Sequence, residues 1–181
     1  MEIVNRMIRA AKLDVSFYEE VEKDPNATNQ ALLVVVIASI CSGIGSAIAG
    51  TMIGGIGAVI SGLIIGAITA LIGLLIWSFL TYIIGTRILK GPETKATYGE
   101  LIRCIGFSYS PNVLAILLFI RIIGPVITFI AMIWSLVAMV IAVRQALDFS
   151  TGRAIATCIV GFIIMVLITT IIGMTFLMPF K

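Results

Sequence analysis

The chain has 181 residues, of which 60% are hydrophobic and 12% are charged, and its mean hydropathy is +1.18. This composition lies outside the range of soluble globular domains and is typical of a polytopic membrane protein. The absence of histidine removes the commonest general base and metal ligand, and the net charge of +3 is informative only through the positions of the basic residues. We therefore expect an all-α integral membrane bundle, without a catalytic, cofactor or metal site and without a nucleic-acid partner.

Residues 1–29 are predicted to form a cytosolic N-terminal segment that begins with an amphipathic helix. Its apolar residues fall on one side of a helical wheel and its mainly basic polar residues on the other: Ile3, Val4, Met7, Ile8, Ala11 and Val15 against Glu2, Asn5, Arg6, Arg9 and Lys12. Such a helix suits an anionic membrane surface, and packing on the protein's own cytosolic loops is an equally favoured alternative.

A second short helix is predicted in "SFYEEVEKDPN". Ser16 and Glu19 have the spacing of a capping box, and the helix should end at Asp24 and Pro25.

The segment from Gln30 to Thr86 contains no charged residue. A single helix of that length would be far longer than the hydrocarbon core is thick, so the segment must fold back on itself. The glycine-rich stretch "GTMIGGIG", Gly50 to Gly57, predicts the turn. We expect a first span near 30–50 and a second near 57–87.

The next segment, "RILKGPETKATYGELIR" from Arg87 to Arg103, is the most polar internal part of the chain. Gly91 and Pro92 break it, and the capping-box spacing of Thr97 and Glu100 predicts a helix that restarts at Tyr98. Spans follow at about 102–120, 125–143 and 154–178, which completes a five-span membrane domain over residues 30–178.

The distribution of basic residues supports five spans. With this count ten of the twelve Lys and Arg residues lie on the side of the N-terminus, and two, Arg121 and Lys181, lie on the other. The positive-inside rule then predicts a cytoplasmic N-terminus and an external C-terminus, at the plasma membrane if the chain is prokaryotic.

Small residues recur at every fourth position in the first two spans: Ala38, Ser42, Ser46, Gly50, Gly54, Ala58, Gly62, Gly66 and Ala70. Such strips let helix backbones approach closely in a membrane, and Gly62 with Gly66 forms a GxxxG pair. Intramolecular packing of the two spans is the favoured interpretation, and a dimerisation face is the alternative.

The stretch "GFSYSPN" places a cluster of polar residues inside the third span: Ser108, Tyr109, Ser110, Pro111 and Asn112. Pro111 should kink the helix, and the neighbouring hydroxyl or amide groups could satisfy the carbonyls that it frees. The kink can serve helix packing, which we favour, or line a path for a substrate or water.

Three arginines are predicted at the cytoplasmic boundary, where they would anchor the ends of spans by snorkelling: Arg103, Arg144 and Arg153. Arg144 and Asp148 have the i, i+4 spacing of a weak surface pair, and Ser150 is a plausible N-cap of the last span. The cysteines, Cys41, Cys104 and Cys158, are expected to be packing residues. The resulting candidate recognition surface on the cytosolic face comprises Glu100, Arg103, Arg144, Gln145, Asp148 and Arg153.

The order of these elements resembles the Yip-one domain family, named for interaction with Ypt and Rab GTPases. The similarity lies in "SFYEEVEKDPN", "YGELIRCIGFSYSPNVL", Trp134 and "VRQALDFSTGRAI", and it covers the chain from about Phe17 to its end. The resemblance implies a five-span membrane protein with a cytosolic N-terminus, and for eukaryotic relatives a role in vesicle traffic with Rab GTPases as partners. This chain looks more like the short prokaryotic members.

Two functions are therefore considered. The first is a non-enzymatic membrane protein that organises membrane or recruits partners through its cytosolic face, the partners being the lipid bilayer, other membrane proteins or further copies of the chain. The second is a transporter of small solutes or lipids, or a scramblase, that uses the kinked third span. A membrane enzyme ranks third, because the candidate acids, Glu93, Glu100 and Asp148, are loop residues without a histidine.

Overall fold

The computed structural model describes residues 2–50, 55–91 and 94–177. It is 85% helical and contains no strand in these ranges, and five of its helices are long and apolar enough to cross a membrane. The candidate spans are Ala27–Ile48, Ile56–Ile88, Tyr98–Phe119, Ile123–Ala146 and Thr151–Ile171. The all-α fold and the five predicted spans are thus confirmed, with ends that differ by a few residues; Glu93, Met178 and Lys181 lie outside the described residues.

Two short helices precede the spans, α1 (Glu2–Ala11) and α2 (Val15–Lys23). A left-handed residue, Leu13 with φ 60°, turns the chain between them. The predicted capping box of Ser16 and Glu19 is wrong, because α2 begins one residue before Ser16 and its N-cap is Asp14, whose side chain accepts a hydrogen bond from Phe17 N. The predicted end of α2 is confirmed, since Asp24 is its C-cap.

The first two spans are α3 (Ala27–Ile48) and α4 (Ile56–Ile83), and α4 continues into a π-helical turn at Ile84–Ile88. Helix α3 ends at Ile48 and α4 begins at Ile56, which brackets most of the predicted glycine-rich turn; residues 51–54 of that turn, with Gly54, lie outside the described residues. The spans approach closely where a Cβ on Gly43 would lie 2.5 Å from Leu63 Cδ2.

The intramolecular packing role predicted for the Gly62 and Gly66 pair fails at Gly66. Gly66 is exposed, and no described residue would lie within 4 Å of a Cβ at that position; Gly62 is half-buried. Other members of the same strip do face the protein interior, since Ala38 is buried and Ala70 packs against the core. A dimerisation face that includes these glycines stays a prediction.

The third span combines α5 (Tyr98–Ser108) with a 3₁₀ helix at Ser110–Phe119. Its predicted start is confirmed by a complete capping box, in which Glu100 N donates to Thr97 Oγ1 and Thr97 N donates to Glu100 Oε2. The change from α to 3₁₀ geometry occurs at Tyr109, directly before the pair Ser110 and Pro111.

The last two spans are α6 (Ile123–Ala146) and α7 (Thr151–Leu177). Ser150 directly precedes α7, the position predicted for it, and Asp148 in the connection adopts φ 51°. The starts of α3, α5 and α7 and the ends of α4 and α6 meet at one end of the bundle, where α1 and α2 also lie. We call this end the N-terminal face.

Candidate interaction face and third span

Helix α2 is an integral part of the bundle, wedged between α5 and α6. Phe17, Tyr18 and Val21 are fully buried. The ring of Phe17 meets the ring of Phe107 edge to face, with centroids 5.1 Å apart and an interplanar angle of 87°. Cys104 Sγ lies 3.6 Å from the carbonyl oxygen of Tyr18, so this thiol is covered by α2.

Arg103 fastens the end of α2 to the third span. Its Nε donates to the Val21 carbonyl at 3.0 Å, and its Nη2 donates to the Glu22 carbonyl. These carbonyls belong to the last turn of α2, where a cation also interacts favourably with the helix dipole. Arg103 is 8% exposed. The prediction that Arg103 snorkels to lipid headgroups is therefore wrong, and its guanidinium is not available as part of a recognition surface.

Helices α1 and α2 are joined by ion pairs. Arg6 lies 3.3 Å from Asp24 and also donates to Gln30 at the start of α3, while Arg9 lies 2.9 Å from Asp14 and 2.7 Å from Glu20. Hydrogen bonds from Ser16 and Arg9 lower the pKa of Asp14 to about 2, and the carboxylates of Glu20 and Asp14 raise the pKa of Arg9. The arginines predicted to face anionic lipid are thus neutralised by α2.

A group of carboxylates surrounds Glu22 on the N-terminal face. Burial raises the pKa of Glu22 to about 7, and the charges of Asp148 and Glu100, with a smaller contribution from Glu19, add to the shift. These four acids come from α2, α5 and the connection between α6 and α7. No local pattern in the sequence indicates this group, because its members are brought together by tertiary packing.

The segment Val143 to Ala154 borders the same group. Gln145 Nε2 donates to Glu19 Oε1 at 2.9 Å, and Arg144 donates to Gln145 and to Thr151. The predicted pair of Arg144 and Asp148 is wrong, because α6 ends at Ala146 and Asp148 lies in a left-handed turn beyond it.

Arg153 is exposed at the start of α7 and lies beside Gly91 of the preceding loop, where a Cβ would be 2.6 Å from its Nη1. Of the six predicted recognition residues, the structure therefore groups Glu100, Gln145 and Asp148 around α2. Arg144 and Arg153 lie at the edge of this group, and Arg103 lies beneath it. Whether these residues recognise a partner stays a prediction.

The polar residues of the third span divide into two sets. Ser110 Oγ donates to the Phe107 carbonyl at 2.7 Å, and this carbonyl is the one that lacks a partner because Pro111 has no N–H. Ser108 Oγ likewise donates to the Ile105 carbonyl at 2.6 Å. The prediction that a neighbouring hydroxyl satisfies the carbonyl freed by Pro111 is thereby confirmed for Ser110, whereas the Ile105 carbonyl is not freed by Pro111.

Tyr109 and Asn112 instead line a groove of about 530 Å³ between α3, the 3₁₀ helix and α6. The other lining residues are mostly apolar, with Ser39, Ser42 and Thr128 as further polar members. The Thr128 hydroxyl is buried and has no hydrogen-bond partner among the described residues.

The five spans, the apolar surface of α4, α6 and α7 and the polar N-terminal face define a multi-pass integral membrane protein with a helical cap at one end. A comparison with protein families identifies it further: the Yip1 domain matches residues 14–173, and the chain belongs to this family. Comparisons with curated proteins and with solved structures found no match.

Proposed function

We propose that this Yip1-domain protein is a non-enzymatic membrane scaffold that recruits protein partners through its N-terminal face, which lies in the cytoplasm. The observation that carries the proposal is the concentration of charge. Except for Arg121, the charged residues of the described chain belong to α1, α2 or the segments that meet at this face, whereas the outer surfaces of α4, α6 and α7 are apolar. Charged side chains so placed can select a partner by electrostatic complementarity.

The rigidity of the face supports the same function. Burial of Phe17, Tyr18 and Val21 fixes α2, and the hydrogen bond between Gln145 and Glu19 fixes the end of α6 relative to α2. A preorganised surface loses less conformational entropy on binding than a mobile one does. The partner class is a cytosolic or membrane protein; a Rab-type GTPase follows only from analogy with eukaryotic relatives.

Site-specific photocrosslinking in native membranes tests this function. A benzophenone amino acid at position 148, on the N-terminal face, should give discrete protein adducts, and the same amino acid at position 121, at the opposite end, should not. Arg153→Ala should weaken the adducts formed at position 148 because it removes a charge from the face. Equal adducts at both positions, or none at position 148, would contradict the proposal.

The groove gives a specific reason to test a second candidate, transport of lipids or small solutes along the kinked third span. Tyr109 and Asn112 supply polar groups inside a mostly apolar groove, which a translocated polar group would require. Purified protein in liposomes should then accelerate lipid scrambling, and Asn112→Ala should slow it. Scrambling at the rate of protein-free liposomes would remove this candidate.

A further inference from the structure

Helix α1 carries apolar side chains on two sides. Ile3, Met7 and Ala10 pack against the bundle, whereas Val4 and Ile8, one helical turn apart, are 55% and 47% exposed. The exposed pair has no partner among the described residues that would remove it from solvent. Two such side chains offer far less area than the roughly 800 Å² per partner that a stable protein interface buries, which argues against a second protein copy as their cover.

The C-terminal end of α1 borders the lipid-facing side of α6. Trp134 Nε1 donates to the carbonyl of Ala11, the last residue of α1, at 2.7 Å. Leu13 lies next to the exposed apolar side chains of Phe129, Ile133 and other residues of α6. Because those side chains belong to a membrane span, the medium that covers them also borders the C-terminal end of α1, about one helical turn from Ile8.

The depth of α1 follows from the same hydrogen bond. Trp134 lies about 16 Å along α6 from Ile123 at a rise of about 1.5 Å per residue, and the hydrocarbon core is about 30 Å thick. The C-terminal end of α1 therefore lies beside the middle of a span and not beyond the membrane.

The ion pairs remove the electrostatic obstacle to this position. Arg6 is paired with Asp24, the C-cap of α2. Arg9 is paired with Asp14 in the connection between α1 and α2 and with Glu20 of α2. Paired charges cost much less to bring near hydrocarbon than isolated ones. Because their charges are already paired, the arginines of α1 do not need anionic headgroups. The outer side of α1 can therefore contact acyl chains.

We propose that α1 lies in the plane of the membrane within one leaflet, with lipid acyl chains covering Val4 and Ile8. In the described chain, α1 and α2 add to the five spans in this half of the bundle, whereas the other half holds the spans alone. The protein is then wider in the leaflet of its N-terminal face. A protein with this asymmetry prefers curved membrane in which the leaflet of its N-terminal face is the outer, convex one. This curvature preference goes beyond partner recruitment and does not depend on it.

Spin-label accessibility tests the position of α1. Nitroxides are placed at position 4, at position 8 and, as a control on the polar side of the same helix, at position 5, in full-length protein whose three native cysteines are replaced by alanine. If that background does not fold, Cys104 is retained, because it is buried beneath α2.

At positions 4 and 8 we expect collision with oxygen to exceed collision with the aqueous nickel reagent NiEDDA several-fold, and at position 5 we expect the reverse. Dominant NiEDDA collision at positions 4 and 8 would place α1 in water, and low collision with both reagents would mean that protein covers it. Either result overturns the proposal.

Vesicle size tests the consequence. Labelled protein is reconstituted into phosphatidylcholine vesicles of mixed diameter, and the molecules with the N-terminal face outward are counted. Their surface density should be at least about twofold higher in the smallest vesicles than in the largest. The double variant Val4→Ser, Ile8→Ser should show a smaller ratio, and Asn5→Ser should match the parent protein. A density that does not depend on diameter would overturn the inferred curvature preference, whereas loss of the crosslinks at position 148 would bear only on recruitment.

Discussion

The attachment of α2 to the bundle depends on Arg103, and its removal gives a measurable prediction. Arg103→Ala deletes the hydrogen bonds to the Val21 and Glu22 carbonyls. Hydrogen bonds from a charged donor contribute about 1.5–3 kcal/mol each, and part of this is recovered when water reaches the carbonyls, so we expect a net loss of about 3 kcal/mol. At about 1.4 kcal/mol per factor of ten, detachment of α2 becomes roughly 100-fold more frequent.

Cys104 reports this detachment directly, since its thiol contacts the Tyr18 carbonyl beneath α2. In a background with Cys41→Ala and Cys158→Ala, maleimide labelling of Cys104 in mild detergent should accelerate by the same factor in Arg103→Ala. Arg121→Ala, which removes an arginine at the opposite end, should label at the parent rate. If Arg103→Ala also labels at the parent rate while the protein remains folded, Arg103 does not fasten α2.

Three further predictions follow from burial, packing and topology. Because the pKa of Glu22 is raised from 4.5 to about 7, the folded protein holds a proton that the unfolded chain releases, and stability falls as pH rises through this window. Glu22→Gln should therefore stabilise the protein at pH 8 by about 1–2 kcal/mol, allowing for solvent screening, and have little effect at pH 4, as measured by melting temperature in detergent; an equal effect at both pH values would contradict this. Gly106→Ala should lower the melting temperature, because its Cβ would lie 2.8 Å from a side chain of α3, whereas Gly73→Ala, in open space, should not; equal effects would refute the close approach. Cysteines at Asp148 and Ile123 should label from opposite sides of the membrane, and labelling from one side would exclude the five-span topology.

The spans and their main boundaries could be predicted because their signals are local. An uncharged run longer than one bilayer thickness requires a turn, and the Thr97 and Glu100 spacing fixes a helix start through two backbone hydrogen bonds. The kink was predictable for the same reason: Pro111 frees one carbonyl, and Ser110 is close enough in sequence to satisfy it. These interactions join residues that are neighbours along the chain.

The role of α2 was not predictable from local signals. Its sequence is mostly polar, and nothing near Phe17 or Tyr18 shows that Phe107 and Cys104 will cover them. The position of Arg103 predicts contact with lipid headgroups, because snorkelling is the commonest fate of an arginine at the end of a span. A weak signal did exist: Arg103 lies within a strongly apolar stretch of α5, where a buried guanidinium needs acceptors that α5 itself cannot offer.

Helix α1 has two interpretations from its amphipathic pattern, binding to an anionic membrane surface and packing on the protein's own loops, and each is incomplete. The helical wheel sorted its residues into an apolar and a basic side, but the acids of α2 neutralise the basic side and the bundle covers only part of the apolar side. The family match begins at residue 14, so it includes α2 and Arg103 but not α1. Without α1, Glu20 and Asp24 would lose their arginines but remain hydrated at the protein surface, a small cost compared with exposing the Phe17 and Phe107 contact. The fastening of α2 and the added width in one leaflet are therefore separable properties: the first belongs to the region shared with the family, and the second depends on α1.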